Sequence, residues 1–593
     1  MAARIAASAL IAALSVAMVA AGRGGAGPEG HAAAAAAKGS ADRVLFNGRI
    51  YTVGGPAKWA SAIAVDGRRI AYVGDDAEAK RLAGPGAERI NLKGRMVMPG
   101  LVDGHSHPLD GGALLDACSL DFAKLTIAEF QKSIQRCIDN DRTKEPDSWL
   151  EVEGWNAEET KPPGTVIRKQ ALDALDTQRP IVVHNADGHK SLANSRALEL
   201  AGITGSTPDP PGGVIEKAGG EATGLLFESA QALVNRLVPK DSFSDRLRWA
   251  RLANEALSES GVTSTLDVGG GRHLEVFEAL REQGDLTVRT QVAAVLKAGH
   301  VQRLGSTLDR LGRLRREFDH DLLRAGVVKV FADGVLEAPA QTASLLEPYL
   351  EKARPTKQRG LRLVKPEAFE RLVTSADRRG FQVHVHAIGD RAVRDSLDAV
   401  EAARAANRVS GWGNRHTITH LQLIDPAEIP RFAQLRVIAS MQMQWFQLDG
   451  FTVDAVKPFI GVERFAGMYP AGSLVRSGAK LAAGSDWPVD PLFPFYAIER
   501  AVTRRADGFY GYDKGVLNPA ERISLEQSIE AYTLGASFQM RQDHRTGSLE
   551  AGKLADLIVL NRNLFKVPAD RIYGTKVLLT LLGGRVVHRA GSF

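Results

Sequence analysis

Two cysteines, Cys118 and Cys137, are all that this chain of 593 residues contains, which excludes a disulfide-framework protein and a cysteine-based metal site. One disulfide between them and two inert thiols both fit the count. Aromatic residues are scarce, at 6%, and no basic run is interleaved with them, so the pattern of a nucleic-acid binder is missing. Charge of one sign is lacking too: 75 Lys and Arg against 69 Asp and Glu leave +6, which gives a polyanionic partner no electrostatic footprint. Beyond the first 21 residues no apolar run is long enough to span a bilayer, so no integral membrane domain is expected after signal cleavage. What is present is an ordinary globular composition, 44% hydrophobic and 24% charged, in a chain several times the ~150 residues of a typical domain. A large buried core is within reach, and a homodimer is compatible with the sequence.

The N-terminal segment reads as an export signal. Arg4 precedes an alanine-rich apolar stretch, Ile5–Ala21, with the small residues Val19 and Ala21 around a cleavage point. The expectation is a signal peptide over 1–21, a disordered spacer over 22–42 and an exported protein, periplasmic or secreted. An uncleaved anchor helix is the alternative.

Strand-like pieces stand at both ends of the remainder. Arg43–Val53 and Ser61–Val73, the latter with an Asp66-Gly67 turn, are matched by Ala555–Leu560 and Thr575–His588 with its Gly583-Gly584 turn. These predict one small β-sandwich built from residues 43–94 and 546–593. Between them, eight apolar runs alternate with helical stretches: Met96–His105, Val262–Val268, Leu286–Leu296, Val327–Ala332, Phe381–Ala387, His416–Leu423, Arg436–Gln442 and Lys480–Ser485. That alternation predicts an α/β protein, a (β/α)8 TIM barrel over residues 95–545. The gap between the first two runs is far longer than the others, which predicts a subdomain of about residues 112–260 inserted after strand 1, over the barrel mouth.

In such a barrel the C-terminal ends of the strands face the active site, so the residues ending each run carry the functional reading. Run one ends in Asp103-Gly-His105-Ser-His107, where histidines two apart project to the same side of an extended backbone and can share one ion. Run five ends in His384-Val-His386, run six in His420 after beginning with His416, and run eight in Ser485-Asp486-Trp487-Pro488. Run four carries Lys329. A lone strand histidine is commonly a hydrogen-bonded core residue, but four runs of one barrel ending in His-x-His, His, His and Asp converge on one face, which predicts a metal site. By strand parity His384 and His416 face the same way as His386 and His420 but lie deeper, as supporting or core residues. His189, in Asp187-Gly-His189 of the insertion, is a candidate for reaching a substrate carbonyl or carboxylate, with a structural turn residue as the alternative. Trp155, Trp445, Phe446 and Trp487 are candidates for the apolar walls of a lidded pocket, with packing as the competing reading.

Seven segments together resemble the amidohydrolase superfamily, and within it the YtcJ-like group, amidohydrolase family 3. They are PGLVDGHSH (Pro99–His107), HNADGHKSLANSRAL (His184–Leu198), KVFADG (Lys329–Gly334), VHAIGDRAV (Val385–Val393), ITHLQ (Ile418–Gln422), GSDWPV (Gly484–Val489) and GSLEAGKLADLIVL (Gly547–Leu560). The resemblance spans residues 43–593. It implies a metal-dependent hydrolase acting on carbon–nitrogen bonds other than peptide bonds, in amides of N-acyl or N-formyl type or cyclic amides. It implies two divalent ions, zinc foremost, with His105 and His107 on one, His386 and His420 on the other, and Asp486 as ligand and proton-transfer base. Lys329 matches a position where the family carries a carboxylated lysine bridging two ions; a buried lysine paired with Asp333 in a one-metal site is the alternative. Thr419 departs from the glutamate common at its position. Rival readings keep the site and change the bond to an ester, lactone or carbamate, or to an isomerisation. A noncatalytic exported binding protein predicts broken ligands instead.

Overall fold

Short strands, most of them buried throughout, form one parallel, nearly closed sheet of eight. In chain order these are β1 (Leu101–Ser106), β2 (Val262–Asp267), β3 (Arg289–Leu296), β4 (Leu323–Phe331), β5 (Gln382–Ala387), β6 (Thr417–His420), β7 (Ile438–Met441) and β8 (Lys480–Ala483). Each pairs with the next in parallel. At the closing seam between β8 and β1, Gly104 approaches so closely that a Cβ there would stand 2.8 Å from the Ala483 carbonyl oxygen. The structure, a computed structural model, describes residues 40–120, 123–140, 148–157, 160–162, 164–185, 190–211, 213–337, 341–506, 515–591 and 593. The expected signal peptide, most of the expected spacer, and His189 lie outside the described residues. The first described strand opens at Ala41, inside the span expected for the spacer.

The fold class expected from the sequence is the one observed. Helices pack outside the barrel for the reason their pattern suggests: in Pro366–Arg378 a proline opens the first turn, and Phe369, Leu372, Val373 and Ala376 form the buried stripe. Burying each of the large members is worth roughly 1.5–3 kcal/mol.

One expectation is corrected. The run Met96–His105 is two strands in two sheets, Met96–Pro99 and β1. Gly100 stands between them, where a Cβ would be driven to 2.3 Å from the Thr263 side chain. Met96–Pro99 pairs with Arg49–Tyr51 on one side and with Leu557–Leu560 on the other, in a six-stranded sheet drawn from both chain ends. A four-stranded sheet of Ala41–Phe46, Ala62–Asp66, Arg69–Gly74 and Ala83–Asn91 faces it. Leu45, Ile63 and Val65 from one sheet and Val97, Leu557 and Leu579 from the other share one core. The Gly583-Gly584 turn joins its strands with both glycines at positive φ, 49° and 74°, as a two-residue hairpin of this hand requires. Arg289 at the start of β3 ties the sandwich to the barrel through Asp556, Nε to Oδ2, at 2.9 Å.

Between β1 and β2 the chain first packs Leu109, in the helix Pro108–Asp116, against the barrel, then forms a separate six-stranded sheet running from Cys118–Ser119 to Glu221–Glu228. Cys118 and Cys137 form a disulfide, which joins the strand Cys118–Ser119 to the helix Ile127–Asn140. Among the described residues no helix is long and apolar enough to cross a membrane.

Candidate metal centre

The seam between β1 and β8 assembles the site. Asp103, buried within β1, accepts the backbone N–H groups of His105 (3.2 Å) and Ser485 (2.9 Å) on Oδ1 and the Ser485 hydroxyl (2.6 Å) on Oδ2. The backbone N–H of Asp486 then donates to the His105 carbonyl at 2.8 Å. These bonds carry Asp486 to the histidines of the other strand. His105 Nε2 and His107 Nε2 stand 3.2 and 3.3 Å from Asp486 Oδ1, and one donor atom from each of the three residues lies within 4.8 Å of the others. Asp486, His420 and Leu421 hold left-handed backbones, with φ of 56°, 79° and 54°, a conformation that costs energy in a residue with a Cβ and gathers at functional sites.

His386 and His420 complete the group, their ring centroids 4.5 Å apart, with His420 4.9 Å from His105. The outer nitrogen of each ring is engaged. His386 Nε2 donates to the Gly334 carbonyl at 3.0 Å, and His420 Nδ1 donates to Gln442 Oε1 at 3.0 Å. His105 Nδ1 meets His384 Nε2 at 2.8 Å. Each ring therefore keeps one nitrogen for a cation: Nε2 of His105 and His420, Nδ1 of His386.

Burial, reinforced by the charge on Lys329, lowers the His386 pKa to about 4 and that of His105 well below the usual imidazole range. Burial does the same to His420, with His386 its main electrostatic neighbour. These rings are neutral at neutral pH, as ligation demands. Burial also brings the Lys329 amine down to about 7; its Nζ lies 3.4 Å from His105 Nε2 and 5.0 Å from the Phe331 ring centre. Burial pushes the Asp486 carboxyl up, but the hydrogen bond from His107 and the interactions with His420 and Lys329 outweigh it and hold the net pKa below the ordinary value. Neutral imidazoles around one buried carboxylate are a donor set that fits a divalent cation of the zinc type.

His105, His107, Lys329, His386, His420 and Asp486 are thus brought together, while other candidates sit elsewhere. Trp155 is 3% exposed and packs against Phe130 in the insertion's core: a register shift between Val152 and Trp155, with Gly154 at φ 68°, breaks the alternation and puts it in one cluster with Leu150 and Val152. Trp487 is buried, its indole lying over Gly111, and its carbonyl accepts the His107 N–H at 2.7 Å. Phe446 is fully buried against Tyr469; Trp445 stacks on His420 at 5.7 Å. His416 lies deep on β6's approach, Nε2 bonded to Asp377 Oδ1 at 3.0 Å. Asp333 is no partner of Lys329: its carboxylate accepts the backbone N–H groups of Ser344, Ile388 and Gly389 at 2.9, 3.0 and 2.8 Å. Thr419 accepts a long bond from Gln442 Nε2, 3.4 Å. Sequence reasoning passed over Asp103 and Gln442 as supports: Gln442 directly follows β7, where the rule that finds the ligands applies, whereas Asp103 lies inside β1.

Comparison with known proteins agrees with this geometry. The profile described as "Amidohydrolase family" matches residues 88–588. The chain is 32% identical over 559 residues to "Protein LONG AFTER FAR-RED 3" of Arabidopsis thaliana, covering 92% of each. It is 29% identical to "Putative amidohydrolase YtcJ" of Bacillus subtilis (strain 168), over 92% of this chain and 99% of that one. To "N-substituted formamide deformylase" of Arthrobacter pascens it is 25% identical, over 93% of this chain and 99% of that one. Among solved structures, an uncharacterized metal-dependent hydrolase from Pyrococcus horikoshii OT3 superposes with a TM-score of 0.69 at 26% identity, over 89% of this chain and 99% of that one.

Proposed function

The chain belongs to the amidohydrolase family, in its YtcJ-like group, and from that premise we propose that it cleaves a carbon–nitrogen bond other than a peptide bond in a small molecule, an N-formyl, N-acyl or cyclic amide. The observation that carries the reading is the convergence of one donor atom from each of His105, His107 and Asp486 within 4.8 Å, with His386 and His420 beside them. The formamide deformylase among its relatives supports the bond type.

His105, His107 and Asp486 would hold one divalent ion and His386 and His420 a second, zinc by ligand type, with Lys329 carboxylated between them. An amine with a pKa of about 7 is largely unprotonated at slightly alkaline pH, and so free to take up carbon dioxide. A bound divalent ion supplies Lewis acidity, polarising a carbonyl and lowering the pKa of water from ~15.7 towards ~7.

The remaining work falls to the chain's own groups. Asp486, anionic at neutral pH, takes a proton from the attacking water as the carbonyl carbon becomes tetrahedral. It then delivers that proton to the amide nitrogen, which leaves poorly until protonated. Its backbone N–H, donated to the His105 carbonyl at 2.8 Å, keeps Asp486 beside the rings. Trp445 against His420 and Phe331 against His386 keep the imidazoles in an apolar surround where electrostatic interactions are stronger than in water. We place the protein outside the cytoplasm, as an exported periplasmic or secreted enzyme, a reading supported by the Cys118–Cys137 disulfide.

The test is metal analysis of the purified chain, with a panel of N-formyl, N-acyl and cyclic amides assayed before and after chelation. Bound divalent metal and chelator-sensitive cleavage of one amide class are expected. Protein without metal, or cleavage indifferent to chelation, would overturn the reading.

A further inference from the structure

His384 is fully buried on β5, in register with Lys329 of β4 and one layer below His386. Its ring makes a single polar contact among the described residues, Nε2 to His105 Nδ1 at 2.8 Å; its Nδ1 has no partner. A polar ring kept at a site where valine or alanine would pack without desolvation cost needs a compensating bond, and here that bond leads to one place. The other rings of the site take their orientation from oxygens, His386 from Gly334 and His420 from Gln442. His107 Nδ1 has Asp110 Oδ2 at 3.6 Å. His105 alone among these four depends on a second imidazole.

We propose that His384 is a positioning residue for the metal centre: it accepts the Nδ1 proton of His105 and so turns His105 Nε2, bare of hydrogen, towards the cation. The inference rests on the metal-centre reading above. One proton occupies the gap between the two rings. If His384 donated it, the His105 proton would sit on Nε2, between the ring and the ion. With His105 as donor, the coordinating nitrogen keeps its lone pair and the ring its direction.

Glutamine and asparagine separate this role from simple filling of space. The Gln side-chain oxygen reaches as far from the backbone as imidazole Nε2, whereas the Asn oxygen stops one bond short. The experiment compares full-length wild type, His384→Gln and His384→Asn. Zinc affinity is read by competition with a chromophoric chelator, the absorption spectrum is taken with cobalt(II) in place of zinc, and thermal unfolding follows after chelation. We expect His384→Asn to bind zinc roughly 10–100-fold more weakly with an altered cobalt spectrum, His384→Gln to stay within about threefold of wild type, and all three chelated proteins to melt alike. Unchanged affinity in His384→Asn overturns the assignment, as does equal loss in both variants, which marks a packing role. Wild type that takes up neither zinc nor cobalt would bring down the metal-centre reading and this inference with it, a result distinct from tight wild-type binding that ignores the Asn substitution.

Discussion

Replacing Lys329 with methionine removes a buried amine from the barrel and changes how stability responds to alkali. Burial lowers the Lys329 pKa from 10.5 to about 7. Between those values the folded chain has released this proton and the unfolded chain still binds it. Because the unfolded state binds more protons across the window, stability rises with pH from about 7 towards 10.5; it is lost as pH falls through that range and is flat below it. Each unit of difference is worth about 1.36 kcal/mol, so between pH 7.5 and 9.5 the amine contributes a rise of about 2.5 kcal/mol. Lys329→Met, of similar length and apolar, lacks that rise. Groups that titrate near the window in both proteins, including Arg504 and Arg541, lowered by burial to about 10, cancel in the difference. The assay is urea unfolding of chelated protein in carbonate-free buffer at three pH values. Parallel pH profiles for the two proteins would refute a buried, uncharged lysine and, with it, the ground for its carboxylation.

Three further outcomes follow from the same geometry. Asp486→Asn keeps its metal, read by metal analysis, yet loses ~10²–10⁴-fold in kcat on whichever amide the panel identifies; an active, metal-loaded Asn variant refutes its proton-transfer role. Reducing the Cys118–Cys137 disulfide, or replacing both cysteines with serine, removes about 3 kcal/mol of loop-closure stabilisation, seen as faster limited proteolysis within the insertion; an unchanged digestion pattern refutes that. Gly104→Ala drives a Cβ to 2.8 Å from the Ala483 carbonyl oxygen and 3.0 Å from Gln539 Oε1, which costs about 1–3 kcal/mol, measured as a lower urea midpoint. A neutral result would mean that the seam yields.

Much of the fold was legible because a parallel strand buried on both faces is a short apolar run, and eight such runs between helices admit few arrangements. The ligands were legible because barrel chemistry gathers at strand ends, where His and Asp interrupt those runs. The break at Gly100 was signalled by Pro99-Gly100, a turn-forming pair inside what reads otherwise as one apolar run; what leaves no trace there is the close approach of Thr263, a contact from a strand more than 150 residues on. The left-handed backbones of His420, Leu421 and Asp486 leave no trace in a pattern of apolar and polar residues. Trp155 and Trp487 illustrate the same limit. An indole reads alike as pocket wall or as filler, and only the surrounding packing, Phe130 for one and Gly111 for the other, decides it. The link between His384 and His105 was half visible: parity put His384 on the inward face, but its partner came from a strand 279 residues away in sequence.

The sheet shared by Met96–Pro99 and Leu557–Leu560 also bears on biosynthesis. On the ribosome, Met96–Pro99 emerges long before Leu557–Leu560 is translated, so one edge of the early sheet waits, open, while the whole barrel is made. A prematurely terminated product missing the final strands would expose that edge and its apolar layer to other nascent chains. Leu557–Leu560 thus closes the sheet only after the strands of the barrel have been made.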